Sequence, residues 1–462
     1  MAEMTTEQAE ELLYKKKTVY ARKDADKIGE AFDYAEGYKR FLDASKTERE
    51  AVKAAIALAE GYGFTEYRFG DEIKPGARLY YNNRGKNLFL FKIGAESVAE
   101  GIRISAAHID SPRLDLKQVP LYENEGMCFL KTHYYGGIRK YQWVATPLAL
   151  HGVVALADGT VKEITIGEDP SDPVLYVNDL LPHLGHKDDT KPLGEAIPGE
   201  KLNLLVGSMP LSDAPDGIKL NVLRILNEKY GIAEEDFLSA ELSAVPVGTA
   251  RDAGLDRSLI CGYGHDDRVC AYPALTALFE SLDSPHTLMC VLADKEETGS
   301  DGPTGMQCDI ILDFIDELAK AGKTTSAAVR ANSKCLSADV SAAYDPNFAE
   351  AFEKRNSALI SCGVVLNKYT GARGKSGTND ASAEYIGWLR GIMAANAVIW
   401  QTGELGKVDY GGGGTVAKYI SGHNIDTVDL GVPVISMHAP YEIISKVDLY
   451  EAHRAFRAFN LG

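Results

Sequence analysis

Five short stretches of this chain set imidazoles or carboxylates directly behind apolar runs. They are His108-Ile109-Asp110, His265-Asp266-Asp267, Asp294-Lys295-Glu296-Glu297, Ser337-Ala338-Asp339 and Met437-His438. Imidazole with carboxylate, and no thiolate, is a donor set for zinc, manganese or cobalt at a hydrolytic centre. Two such ions about 3.5–4 Å apart need one bridging carboxylate and terminal ligands on each side. Two histidines and three carboxylates meet that need, and one acid is left over as a general base. Glu296 and Glu297 are adjacent, so on a turning backbone their side chains diverge. One can bind metal while the other holds the attacking water. Asp110, close behind His108, can orient that imidazole through its other ring nitrogen. Singly, a His-x-Asp, an acidic pair or a Met-His reads as surface or as a satisfied structural group. Their order, flanking runs and ligand types together carry the dinuclear reading.

Such residues need a scaffold that delivers them to one place. Asn87–Ile93, Gly101–Ala107, Leu288–Ala293 and Val432–Met437 read as short strands, the second running straight into His108. Ser45-Lys46-Thr47-Glu48 fits a capping box before a helix over Ala51–Glu60, which Gly61 and Gly63 stop. Ala271–Leu282 and Ile310–Ala321 read as helices. Strands separated by helices predict an α/β fold: a mixed, largely parallel sheet with helices on both faces. Ligands collect beyond the carboxyl ends of such strands, so all five motifs are expected on one rim.

Between about Arg113 and Ala250 the texture changes to frequent Gly, Asp and Pro. Gly152–Ile166 reads as a hairpin with Asp158-Gly159 as a two-residue turn. Residues 167–216 read as loops. The expected organisation is a discontinuous catalytic domain, 1–112 and 251–462, holding an inserted β-rich domain, 113–250. Gly411–Gly414 is a permissive backbone stretch, and with Thr415 it is a candidate to approach a bound peptide, with Gly413 and Thr415 as substrate-binding residues.

Composition removes several roles. The net charge of −17 opposes nucleic-acid and anionic-membrane partners. No apolar run approaches a membrane span, and Met1–Tyr20 is too polar for a secretory signal. Seven scattered cysteines without a Cys-x-x-Cys pair predict reduced thiols and a cytoplasmic location. Gly371-Ala372-Arg373-Gly374-Lys375-Ser376 lacks the first glycine of a phosphate loop, Tyr369 standing there. His133, His151, His183, His186, His265, His286, His423 and His453 have no evident partners and are expected to be surface or structural.

The chain resembles the aspartyl aminopeptidase and vacuolar aminopeptidase I family of dizinc metallopeptidases over nearly its whole length. The resemblance rests on Ala107–Pro112, Tyr135-Gly136-Gly137, Gly264–Arg268, Asp294–Ser300, Ser337-Ala338-Asp339 with Pro346-Asn347, and Met437-His438. It implies the zinc exopeptidase fold, with the insert serving dimerisation, and two zinc ions per subunit. It implies Asp266 as the bridging carboxylate, His108 and Asp339 on one zinc, Glu297 and His438 on the other, and Glu296 as general base. It further implies a non-proline cis peptide after Asp266, peptide substrates with a free N-terminus, and a homododecamer. Two segments depart from the family. Lys140-Tyr141-Gln142-Trp143 stands where a Trp-His-Thr-Trp run is usual, with Tyr141 in the histidine's place. Ala383–Trp388 stands where Gly-Ser-Thr-Ile-Gly-Pro is usual. Lys368 is the match for the family's acid-selecting lysine. The preferred N-terminal residue is therefore left open.

The reading is a dinuclear zinc aminopeptidase in which a metal-activated water attacks the first peptide bond. Its nearest rival is a related co-catalytic zinc carboxypeptidase or N-acyl amino-acid deacylase, which would share the ligand set. A non-catalytic assembly protein would have lost a ligand or the base. A carboxylate-only glycosidase would leave His108 and His438 without a role.

Overall fold

The computed structural model describes residues 12–187, 189–213 and 215–462. The first eleven residues of the polar Met1–Tyr20 stretch lie outside them. A nine-stranded sheet forms the centre. Its order is Thr65–Glu66, Arg78–Asn83, Asn87–Lys92, Leu288–Ala293, Arg103–His108, Lys334–Ser337, Asp426–Gly431, Val364–Asn367 and Trp400–Thr402. The four strands from Leu288–Ala293 to Asp426–Gly431 are mutually parallel. Antiparallel pairings flank them. This is the mixed, largely parallel sheet that the strand and helix pattern predicts.

Asn87–Lys92 shows why the sheet is covered on both faces. All six of its residues are buried. Leu88 and Leu90 join one apolar cluster, with the helices Ala25–Asp43, Glu48–Gly61, His265–Phe279 and Lys446–Leu461. Phe89 and Phe91 join the other, with Ile310–Ala321 and Ser326–Asn332. A period of two sends neighbouring side chains to opposite faces, and each face meets its own helical layer. No helix among the described residues is long and apolar enough to cross a membrane.

A seven-stranded antiparallel sheet is built wholly from residues 113–246, in the order Ala240–Pro246, Arg113–Asn124, Met127–Tyr135, Leu204–Gly207, Leu175–Val177, Pro147–Ala155 and Val161–Ile166. Ala240–Pro246 also pairs with Pro147–Ala155, which closes six of the strands into a ring. A five-stranded sheet, Arg251–Ala253, Leu259–Gly262, Glu442–Ser445, Pro433–Ile435 and Ser341–Ala342, completes the fold.

Several local expectations shift. The capping box is made by Thr47 and Glu50 rather than Ser45 and Glu48. The pattern occurs twice in overlapping registers, and Ser45 is buried in the connection from the preceding helix. The hairpin strands pair Ala155 with Val161, so residues 156–160 form a longer connection in which Gly159 takes φ +88°. Residues 167–216 are not all loop. They hold the strands Leu175–Val177 and Leu204–Gly207, too short to show an alternation. The helix expected at Ala271–Leu282 is His265–Phe279, its regular part starting after the non-helical Asp266 and Asp267. The strand expected at Val432–Met437 is Pro433–Ile435 and belongs to the five-stranded sheet, not the central one.

Candidate active site

The two sheets in the catalytic half converge on one point. In the central sheet, Ala293 lies opposite His108 and Ser337 opposite Ala106, so three parallel strands end together. They deliver His108, then Glu296 and Glu297 on a single 3-10 turn, then Asp339. The five-stranded sheet delivers the rest. Leu259–Gly262 leads into Asp266, and Pro433–Ile435 leads into His438. The expectation of one parallel rim therefore holds for His108, Glu296, Glu297 and Asp339. It is corrected for Asp266 and His438, which arrive from a second sheet.

Asp266 lies at the centre and is 2% exposed. Its Oδ1 is 3.1 Å from His108 Nε2, and its Oδ2 is 3.1 Å from His438 Nε2. Asp339 Oδ1 lies 3.8 Å from His108 Nε2, and Glu296 Oε2 lies 4.0 Å from it. Glu297 Oε1 is 3.5 Å from His438 Nε2. Asp267 also brings a carboxylate oxygen within 4.8 Å of donor atoms of His108 and Asp339. The peptide bond between Asp266 and Asp267 is cis, as the resemblance implies.

The outward side of each histidine is fixed. His108 Nδ1 lies 3.1 Å from the Asp110 carbonyl oxygen and 3.3 Å from its carboxylate. His438 Nδ1 donates to the Gly137 carbonyl at 2.8 Å. With a proton held on each Nδ1, each Nε2 is the atom free to take either a second proton or a cation beside Asp266. Asp110 ties several parts together. It accepts from the Glu296 and Glu297 backbone N–H groups, both at 3.2 Å, and from the Tyr135 hydroxyl at 2.8 Å.

The cluster's electrostatics favour a cation. His108 Nε2, Asp266 Oδ1, Glu297 Oε1 and both carboxylate oxygens of Asp267 are buried and have no hydrogen-bond partner. A buried polar atom without a partner costs about 1–3 kcal/mol, more for a charged group, so these five together call for a ligand. Burial, and then the charge of Asp339, pushes the Glu296 carboxyl up to about 8. Burial also holds Glu297 and Asp339 above the usual carboxylate range. Burial opposes a charged His438, but its hydrogen bond to Asp266 prevails and lifts it to about 10. Protons on the imidazoles thus offset the carboxylates. A divalent ion does the same through the same atoms, so the donor set fits zinc.

Beside the cluster opens a cavity of about 280 Å³, bounded by Asp266, Glu296, Asp339 and His438 on one side. The other side holds Asn367, Thr370, Glu404, Leu405, Gly412–Gly414 and Thr415. Gly413 and Thr415 both line this cavity, with Thr415 Oγ1 donating to buried Asp429 at 2.5 Å. Glycine is required nearby, since a Cβ on Gly412 would meet the Ala372 backbone at 2.3 Å. Lys368 is not in the cavity wall. It is exposed and pairs with Asp380. Ala383–Trp388 opens the helix Ala383–Ala395 and contributes nothing to the wall.

Sequence reasoning missed Glu442. Only 1% exposed, it accepts from the Asp266 N–H at 3.0 Å and the His438 N–H at 2.7 Å, pinning both backbones. A lone acid opening the apolar strand Glu442–Ser445 was the available signal. It also missed the partners of His151, which bonds Glu50 and Glu168, and of His453, which bonds Glu280. His265 is structural as expected, its Nδ1 bonded to the buried Tyr38 hydroxyl at 2.6 Å.

Comparison with known proteins joins this geometry to a family. A model of the aminopeptidase I zinc metalloproteases (M18) matches residues 41–460. A probable M18 family aminopeptidase 1 from Clostridium acetobutylicum is 48% identical over 459 residues, 97% of this chain and 99% of that protein. The crystal structure of an M18 family aminopeptidase from Thermotoga maritima superposes with a TM-score of 0.93 at 41% identity, covering 97% of this chain and 99% of that one. More distantly, the fold is shared with the yeast mApe1 dodecamer, at a TM-score of 0.75 and 21% identity over 92% of this chain and 96% of that one. The chain belongs to the M18 family of zinc aminopeptidases, hydrolases that act on peptide bonds.

Proposed function

We propose that the chain is a dinuclear zinc aminopeptidase that releases one N-terminal residue at a time. The observation that carries this is Asp266, whose two carboxylate oxygens each face a different histidine at 3.1 Å. In this reading Asp266 would be shared by two ions, His108 and Asp339 would hold one, and Glu297 and His438 would hold the other. Cobalt or manganese would suit the same donors. The ions, when bound, supply Lewis acidity at the scissile carbonyl and bring the attacking water's proton into the neutral range.

The remaining steps belong to the chain's own groups. Glu296 accepts the water proton at its carboxylate and hands it to the departing amine. Asp110 keeps His108 in one tautomer and fixes the backbone that carries Glu296 and Glu297. The Gly137 carbonyl does the same for His438. Gly413 and Thr415 border the cavity and are assigned to substrate binding. A cavity near 280 Å³ suits one residue rather than a length of peptide.

We assign 1–112 and 251–462 to the catalytic unit and 113–250 to an inserted dimerisation unit, a division supported by the closed ring of strands within 113–246. Assembly as a homododecamer is supported by the yeast dodecamer of the same fold. Seven free cysteines suit a reducing compartment, and we place the protein in the cytoplasm.

The test is hydrolysis of free and N-acetylated aminoacyl anilides by zinc-loaded protein, with Glu296→Gln alongside. Turnover of free amines only, collapsing in the variant while zinc content holds, is the expected result. Zinc-loaded protein that turns over the acetylated substrates would overturn the reading.

A further inference from the structure

The wall of the cavity opposite the metal cluster bears the chemistry of a receptor for a cationic side chain. Val364–Asn367 and Trp400–Thr402 run parallel at the edge of the central sheet. Their carboxyl ends bring Asn367 and Glu404 to the cavity side by side. Asn367 Oδ1 lies 3.1 Å from where a Cβ would sit on Gly403, the neighbour of Glu404.

Both residues present unfilled acceptors. Asn367 is 7% exposed and donates through Nδ2 to Ser341 Oγ at 2.7 Å, while its Oδ1 has no partner. Glu404 receives the Tyr369 hydroxyl on Oε1 at 2.6 Å, which fixes the carboxylate's direction. Among the described residues Glu404 enters no ion pair, and no lysine or arginine lines the cavity. Of the nearby cations, Lys368 and Lys375 both pair with Asp380, Lys375 Nζ lies 3.7 Å from the Tyr369 ring centroid, and Lys418, behind Gly414, lies 4.6 Å from the Tyr419 ring centroid.

The consequence follows from desolvation. An aliphatic side chain entering here would strip water from the Glu404 carboxylate, leave the buried Asn367 Oδ1 unpaired and offer no donor. An acidic one would add like charge. A lysine or arginine side chain can lay its methylenes along Leu405 and bring donors to both acceptors. We propose that Glu404 and Asn367 make this enzyme prefer peptides with a basic N-terminal residue. The proposal rests on the aminopeptidase reading above and adds its substrate class.

The test compares lysyl, norleucyl and glutamyl anilides with zinc-loaded full-length protein, since norleucine differs from lysine chiefly in lacking the ammonium. Lysyl kcat/KM should exceed norleucyl by roughly tenfold or more, the scale of a hydrogen bond to a charged group, with glutamyl lowest. Glu404→Gln should bring the lysyl-to-norleucyl ratio to within about threefold, and Tyr369→Phe should lower it by a smaller factor. Free lysine should also compete better than free norleucine with the wild-type enzyme, a readout that needs no variant. Norleucyl turnover without a lysyl preference, or a preference that survives Glu404→Gln, would overturn this proposal and leave the aminopeptidase standing. Absence of turnover on every free-amine substrate would remove both.

Discussion

Two places in this molecule pack histidine against carboxylates, and they differ in what they lack. At the seam between the helix Glu48–Gly61 and the closed ring of strands, His151 Nδ1 donates to Glu50 at 2.8 Å and Nε2 to Glu168 at 3.1 Å. Glu50 also caps its helix by accepting from the Thr47 N–H, and Lys46 lies 3.8 Å from Glu168. The cations there match the carboxylates, and both imidazole nitrogens have partners. Around Asp266, five carboxylates face two imidazoles, and five buried atoms have no hydrogen-bond partner. Residue type does not separate a structural cluster from a metal centre. Excess negative charge and unfilled donors do.

The comparison can be broken by experiment. Glu296→Gln removes the proton carrier and should lower kcat by about a thousandfold, with zinc per chain unchanged in a metal assay. Asp266→Asn should abolish activity to a similar extent by another route, with zinc content falling as well. Equal metal loading in the two variants would erase the distinction drawn between base and bridge. Asp110→Asn loosens the hold on His108 and should cost about 10–100-fold in kcat/KM or in zinc affinity. His151→Ala should leave kcat of the folded enzyme intact and destabilise it by about 1–3 kcal/mol in denaturant unfolding, after allowance for its partly exposed partners.

The seam also has a pH signature. Burial disfavours a charged His151, but the hydrogen bonds to Glu168 and Glu50 outweigh it and raise the imidazole to about 9. A free imidazole titrates near ~6.5. The seam's contribution is therefore complete below about pH 6.5 and is lost as pH rises through about 9. Unfolding free energy should fall across that window in the wild type and lose that slope in His151→Ala. An unchanged slope would mean that the seam is not charged.

Much of this was legible in the residues. Leu288–Ala293 and Ile310–Ala321 fall where an unbroken apolar run and a clear helical period put them. The five motifs converge because each follows a strand. The rest hides for physical reasons. The five-stranded sheet is made of strands of two to four residues, below the length at which alternation can be read. Glu50 and Glu168 lie 101 and 17 residues from His151, so nothing local announces the pairing. Glu404 looks like any loop acid until the sheet edge sets it beside Asn367. Lys368, one residue past the strand Val364–Asn367, turns outward to Asp380 instead.

The order of the site residues along the chain has a consequence for synthesis. His108 and His438 are set by opposite ends of the polypeptide, and Glu442, which pins the second, comes later still. With the ligands assigned above, a growing chain lacks the full set until His438 and Glu442, just ahead of the helix Lys446–Leu461, have been made. On that assignment, a chain truncated before residue 438 should have no peptidase activity and cannot trim the free N-termini around it.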